Sequence, residues 1–171
     1  MNSHHRSTCG KGFLLAALFL PPAACQFMSG GEYNSRRDPA SDYVETQARA
    51  KRESKRILIE VGRQDCPWTK KLDALFADDK DISGILADRY VIQRVYFGNG
   101  NFNARFLSSF PPVRGVPHLF VIDGDNRLLV SQETDPLESG DHHDRNLVLA
   151  FLKKWAAAPA LPPDLGENGA S

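Results

Sequence analysis

Asp65-Cys66-Pro67-Trp68-Thr69-Lys70-Lys71-Leu72 is the stretch whose reading decides the fold. It follows the β-branched and apolar run Ile57-Leu58-Ile59-Glu60-Val61, which predicts a buried strand. It opens a segment in which Trp68, Leu72, Leu75 and Phe76 recur at i, i+4, i+7 and i+8, the spacing of one helix face. Cys66 therefore stands where a strand hands over to a helix. Proline suits the first helical position, because its missing N–H would have had no partner there. The remaining free N–H groups and the positive end of the helix dipole then face the sulfur. Such a setting stabilises the thiolate, which is the nucleophile.

At this junction the chain resembles the thioredoxin superfamily, which carries Cys-x-x-Cys there, often with proline and an aromatic between the cysteines. Cys66 holds the first cysteine's place, and Thr69 replaces the second. Glu60 lies six residues before Cys66, where thioredoxins place a buried acid beneath the site. Gly115-Val116-Pro117-His118-Leu119-Phe120-Val121-Ile122-Asp123 is similar to the family's cis-proline strand, whose proline packs against the active-site cysteine. Three matches in the right order cover roughly residues 41 to 157. The resemblance implies an α/β thioredoxin-like sandwich: a central mixed sheet flanked by helices, with an N-terminal helix extension.

The chemistry that follows is set by Thr69. A dithiol works in two steps: attack on a substrate disulfide, then resolution of the mixed disulfide by the second thiol. Threonine cannot resolve; its hydroxyl can only hydrogen-bond the Cys66 sulfur. What remains is monothiol exchange, with Cys66 as nucleophile, Thr69 as its hydrogen-bond partner and Glu60 as proton acceptor. Trp68, Val116 and Pro117 would bind substrate, the partners being protein thiols or disulfides and an external thiol reductant. The other reading is a redox-inactive module that keeps the groove of Trp68, Val116 and Pro117 for peptides or partner proteins. Cys66 is a reactive thiol in the first reading and a small buried hydrophobe in the second.

The flanks suggest export. Arg6 and Lys11 form a basic start without acids, and Phe13 to Leu20 is an apolar core too short for a stable membrane-spanning helix. Pro21-Pro22 ends it, and Ala23-Ala24-Cys25 offers small residues for cleavage. The expectation is a signal peptide over 1–25 and a periplasmic mature protein without a membrane span, an uncleaved anchor segment being the alternative. Lipid anchoring through Cys25 is the minority reading, since Pro22 stands where a lipoprotein signal has a branched aliphatic residue. Cleavage removes two of 21 basic residues and no acid from a chain whose formal net charge is zero, leaving 19 against 21. No basic field therefore argues for nucleic acid. Cleavage also removes Cys9 and Cys25, so Cys66 becomes the single cysteine and no internal disulfide can form.

Residues 26–40, rich in Gly, Ser, Asn and Arg, are expected to be a flexible linker, and 158–171 a disordered tail. Between them a helix capped by Ser41 is expected to reach Ser54. Further helices are expected from Pro67 to about Ala77, from Asp81 to Asp88 and from Asn103 to Ser109, with Phe102, Phe106 and Leu107 facing inward. Tyr90 to Phe97 should be a strand, and Gly124-Asp125-Asn126 a hairpin turn between His118–Asp123 and Arg127–Gln132. Asp144 should cap a last helix whose buried stripe is Val148, Phe151, Leu152 and Trp155. Residues 133–143 are expected to be a polar loop. Asp141-His142-His143-Asp144 lacks the spaced ligands of a metal site, so no metal and no cofactor is expected. Arg94 either pairs with Glu60 or lies on a solvated face, and both readings stay open.

Overall fold

The structure is a computed structural model and describes residues 32–156. The signal peptide expected over 1–25, the linker before residue 32, Cys9, Cys25 and the tail over 158–171 lie outside the described residues.

Among the described residues the chain runs α1 (Pro39–Arg52), β1 (Arg56–Gly62), α2 (Pro67–Asp78), α3 (Lys80–Arg89), β2 (Tyr90–Tyr96), α4 (Ala104–Leu107), β3 (His118–Ile122) and β4 (Leu128–Glu133). A two-stranded ribbon, β5 (Glu138–Ser139) and β6 (His142–His143), then precedes α5 (Arg145–Trp155). The main sheet has the order β2-β1-β3-β4. β1 pairs parallel with β2 and antiparallel with β3, so the sheet is mixed.

β1 is covered on both faces, and six of its seven residues are buried, which is why it reads as a nearly unbroken apolar run. Leu58, with Leu119 and Val121, packs against Leu72 and Phe76 of α2, Ile82 and Leu86 of α3, and Val148 and Leu152 of α5. Ile57, Ile59 and Val61 face the other way, with Ala50 of α1 and Leu107 of α4. This is the expected α/β sandwich, a mixed sheet flanked by helices.

Several boundaries differ from expectation. The cap of α1 is Asp38 rather than Ser41: its carboxylate accepts the Ala40 N–H at 3.0 Å, and Pro39 fills the first helical position. Residues 32–40 are not a free linker, since Tyr33 is 4% exposed and helix begins at Pro39. α3 starts at Lys80 because the Asp79 carboxylate accepts the N–H groups of both Asp81 and Ile82 at 3.0 Å. α4 shrinks to four residues, and Phe102 is half exposed rather than inward, its ring edge against Phe97. Residues 134–143 are not a polar loop but a turn and ribbon that bury Thr134, Leu137 and His143. Asp144 caps α5, accepting from Asn146 and Leu147.

Candidate functional site

Cys66 is the N-cap residue of α2, with extended backbone (φ −81°, ψ 120°), and Pro67 follows inside the first turn. Its carbonyl accepts the Lys70 N–H at 3.1 Å, so the helix begins immediately after it. The side chain makes no capping bond. The thiol points across the sheet end instead, with Sγ 3.5 Å from the Val116 carbonyl oxygen. Only 6% of the residue is exposed.

The Val116–Pro117 peptide is cis. Pro117 is buried and Val116 half-buried. The Pro117 carbonyl accepts a hydrogen bond from the Thr134 hydroxyl at 3.0 Å, which ties this loop to the end of β4. β1 and β3 are neighbours in register, Val61 opposite His118 and Glu60 opposite Leu119, and this pairing brings the loop to Cys66.

Thr69 is fully buried, but its hydroxyl has no hydrogen-bond partner, Cys66 included. The expected Thr69–Cys66 hydrogen bond is therefore not formed. The threonine methyl is turned inward over Gly62, where an added Cβ would meet it at 2.8 Å and the Tyr33 ring at 2.9 Å.

Glu60 is fully buried, and Oε2 accepts from Arg94 Nε at 3.2 Å. Arg94 Nη2 reaches Asp73 of α2 at 2.6 Å, so one guanidinium serves two carboxylates. The pairing of Arg94 with Glu60 follows from strand register, because the two residues stand directly opposite on β1 and β2. Burial, then repulsion from Asp73, pushes the Glu60 carboxyl up to about 7, against the pull of Arg94. The Tyr33 phenol faces Glu60 and is raised by burial and by that carboxylate, yet neither its oxygen nor Glu60 Oε1 closes a hydrogen bond. Glu60 is not hydrogen-bonded to Cys66.

Trp68 is half-buried on the first turn of α2. The Lys71 ammonium lies 4.6 Å from its ring centre, and the His143 ring meets it edge-on at 5.3 Å. His143 Nε2 donates to the Trp68 carbonyl at 3.1 Å. His143 is thus a neighbour of the site, and His142 is exposed. Among the described residues no group of three or more His, Cys, Asp or Glu is arranged to hold a metal. His118, though next to Pro117, faces away with Val61: its Nε2 meets the Ser131 hydroxyl at 2.8 Å, and its ring packs on Phe120.

The structure therefore gathers Cys66, Trp68, Val116 and Pro117 at one end of the sheet, with Glu60 and Thr69 buried nearby. Sequence reasoning missed Tyr33, Asp73, Thr134 and His143. Asp73 was within reach, because it lies four residues after Thr69 on the same helical face. Tyr33 and Thr134 carry no spacing signal, since long-range packing alone brings them in.

Among solved structures the fold is similar to a disulphide isomerase from Xylella fastidiosa Temecula1, at 18% identity and TM-score 0.61 over 71% of this chain and 94% of that one. It is also similar to the DsbH oxidoreductase, at 18% identity and TM-score 0.50 over 84% and 91% of the two chains. The C-terminal domain of Neisseria meningitidis DsbD, in its oxidised form, shares 12% identity at TM-score 0.52 over 73% and 99%. At these identities the likeness is one of fold. No curated protein matches the chain. The sequence profile described as thioredoxin-like matches residues 38–124, spanning α1 through the end of β3 and both Cys66 and Pro117, and the chain belongs to that thioredoxin-like family.

Proposed function

We propose that this protein is a monothiol thiol–disulfide exchange protein of the cell envelope, with Cys66 as its nucleophile. One observation carries the reading: the sulfur stands at the N-terminus of α2 and 3.5 Å from the Val116 carbonyl, beside Pro117. The thiolate attacks a substrate disulfide. One sulfur of that bond joins Cys66, and the other leaves as a thiolate. An external thiolate then attacks the substrate sulfur of the adduct and returns the Cys66 thiolate, so the protein undergoes no net redox change. Glu60, near neutrality in its acid–base balance, is the group that takes up and returns the Cys66 proton. Trp68, Val116 and Pro117 form the apolar platform for the substrate peptide.

A second reading is favoured by the burial of the thiol. Cys66 is almost buried, and its hydrogen is taken by the Val116 carbonyl. A redox-inactive module that binds peptides at the same platform would look the same. Export to the periplasm rests on the pattern of residues 1–25, with lipid anchoring at Cys25 as the alternative. No helix among the described residues is long and apolar enough to cross a membrane.

The test is adduct trapping by mass spectrometry. Wild-type protein incubated with disulfide-bonded peptides is expected to form mixed disulfides at Cys66, and Cys66→Ser none. A wild type that traps no peptide disulfide but binds reduced peptides would establish the module instead.

A further inference from the structure

The connection between β4 and α5 touches both walls of the candidate groove. At its start, Thr134 is 2% exposed and donates its single hydroxyl proton to the Pro117 carbonyl at 3.0 Å. At its end, His143 is 4% exposed and donates from Nε2 to the Trp68 carbonyl at 3.1 Å. A carbonyl can only accept, so the direction of both bonds is fixed. Between them stands Glu138, with Oε1 3.4 Å from the Thr134 oxygen and 4.0 Å from His143 Nδ1. The segment is closed on itself. Glu138 pairs with His143 in the ribbon, Gly140 turns it at φ +64°, and the Asp144 N–H bonds the Leu137 carbonyl at 2.8 Å.

We propose that Thr134, Glu138 and His143 are positioning residues that clamp the Trp68 turn of α2 to the Pro117 loop and so set the width of the peptide groove. The inference rests on reading the Cys66 face as a groove for peptides. One chain of contacts runs Pro117–Thr134–Glu138–His143–Trp68, and it spans the two walls through a single ten-residue excursion of the backbone.

The chain lacks one proton. The Thr134 proton lies between two acceptors, Pro117 at 3.0 Å and Glu138 at 3.4 Å, and neutral His143 has spent its own on Trp68. His143 Nδ1 is buried without a hydrogen-bond partner. Glu138 Oε1 therefore takes only the longer, 3.4 Å share of the Thr134 proton and nothing from neutral His143. Protonation of His143 at Nδ1 aims one at Glu138 and completes the clamp. Burial holds the imidazole below its ordinary range; Lys71 of α2 and His142 of β6 act in the same sense, and Glu138 of β5 and the Trp68 carbonyl oppose them. The clamp thus tightens as pH falls through the acid side of the imidazole range.

The experiment compares two thiopyridine-activated disulfides with the same leaving group: dithiodipyridine itself, and a short peptide activated at a cysteine. Thr134→Val and His143→Phe are expected to slow the peptide reaction about tenfold or more, since a ~1 Å misplacement can cost up to about a hundredfold, and to slow dithiodipyridine by a clearly smaller factor. The double variant should be no slower than the slower single one, because both cut the same chain. Thr134→Ser and His143→Gln, which keep a donor, should restore the peptide rate and serve as folded controls. Equal slowing of both reagents, or no slowing of either, would overturn the clamp. If wild-type Cys66 reacts with neither reagent, the exchange function fails, and the clamp is judged by the Trp68 indole N–H resonance. That resonance should shift more as His143 titrates in wild type than in Glu138→Gln; an equal response in both would overturn the clamp by itself.

Discussion

The Cys66 sulfur and the Val116 carbonyl oxygen lie 3.5 Å apart although fifty residues separate them in sequence. That contact makes the Pro117 loop part of the thiol's environment, and it occupies the hydrogen that must leave before the sulfur can attack. Peptide entering along Val116 would compete for the same carbonyl.

Thr69→Cys should supply the internal resolving thiol that Cys66 lacks. The position is buried one helical turn beyond Cys66, and its hydroxyl already makes no hydrogen bond, so a thiol costs no polar contact there. In an insulin-type reduction assay supplied with limiting dithiothreitol as the electron source, we expect slow turnover by wild type and clear turnover by Thr69→Cys, whose internal disulfide the dithiothreitol reduces after each cycle. Efficient wild-type turnover would show that resolution does not need a second cysteine.

Glu60→Gln should flatten part of the pH dependence of stability. The carboxyl is raised in the folded state from 4.5 to about 7. Its contribution is therefore full below pH 4.5 and is lost as pH rises through about 7, with a slope of at most about 1.4 kcal/mol per pH unit. His118 and His143, both lowered by burial, act with the opposite sign, since their contribution is lost as pH falls. Denaturant titrations of both proteins from pH 4 to 8 isolate Glu60 as the difference between the two curves. Parallel curves would mean that Glu60 does not titrate in this range.

Arg94→Met removes the guanidinium that Glu60 and Asp73 share. Leaving a buried carboxylate without its partner costs about 3–5 kcal/mol. The loss should be largest at pH 8, where Glu60 is ionised, and smaller at pH 5, where it holds its proton. Chemical denaturation at the two pH values checks the order, and a loss independent of pH would point to lost packing alone.

Gly62→Ala should destabilise by about 1–3 kcal/mol through overpacking. The new methyl would meet the Thr69 methyl at 2.8 Å and the Tyr33 ring at 2.9 Å, both on buried, constrained side chains. Thr69→Ser deletes the first of these atoms, so the double variant should recover part of the loss. Thermal melts of the four proteins give the coupling. Strict additivity would mean that the two sites do not meet.

Mass spectrometry of protein from the envelope fraction should find a mature N-terminus close to Gln26. An intact Phe13–Leu20 core on that protein would refute cleavage.

Much of the fold was legible because local rules and burial agree. A strand covered on both faces shows an unbroken apolar run, as Ile57 to Val61 does, and a helix packed on one face repeats its apolar residues, as Val148, Phe151 and Leu152 do. Element ends were less legible where two capping residues competed. Asp38 prevailed over Ser41 because proline at the next position fixes the helix start. The segment at 133–143 was misread because its polarity is spent inward. Thr134 and His143 are polar in sequence, but each satisfies a carbonyl from another part of the chain.

By itself the sequence determined that Cys66 follows an apolar run and that Thr69 stands where a resolving cysteine would be. Those are covalent facts, and they limit the chemistry whatever the packing. Only the tertiary structure decided where the thiol's hydrogen goes, that Thr69 turns its methyl to Gly62 rather than its hydroxyl to sulfur, and that Arg94 joins Glu60 to Asp73. These depend on strand register and on which side chains share one buried volume. Register pairs residues far apart in the chain, and burial makes each unpaired polar atom costly, so the final arrangement answers to neighbours that no local window contains.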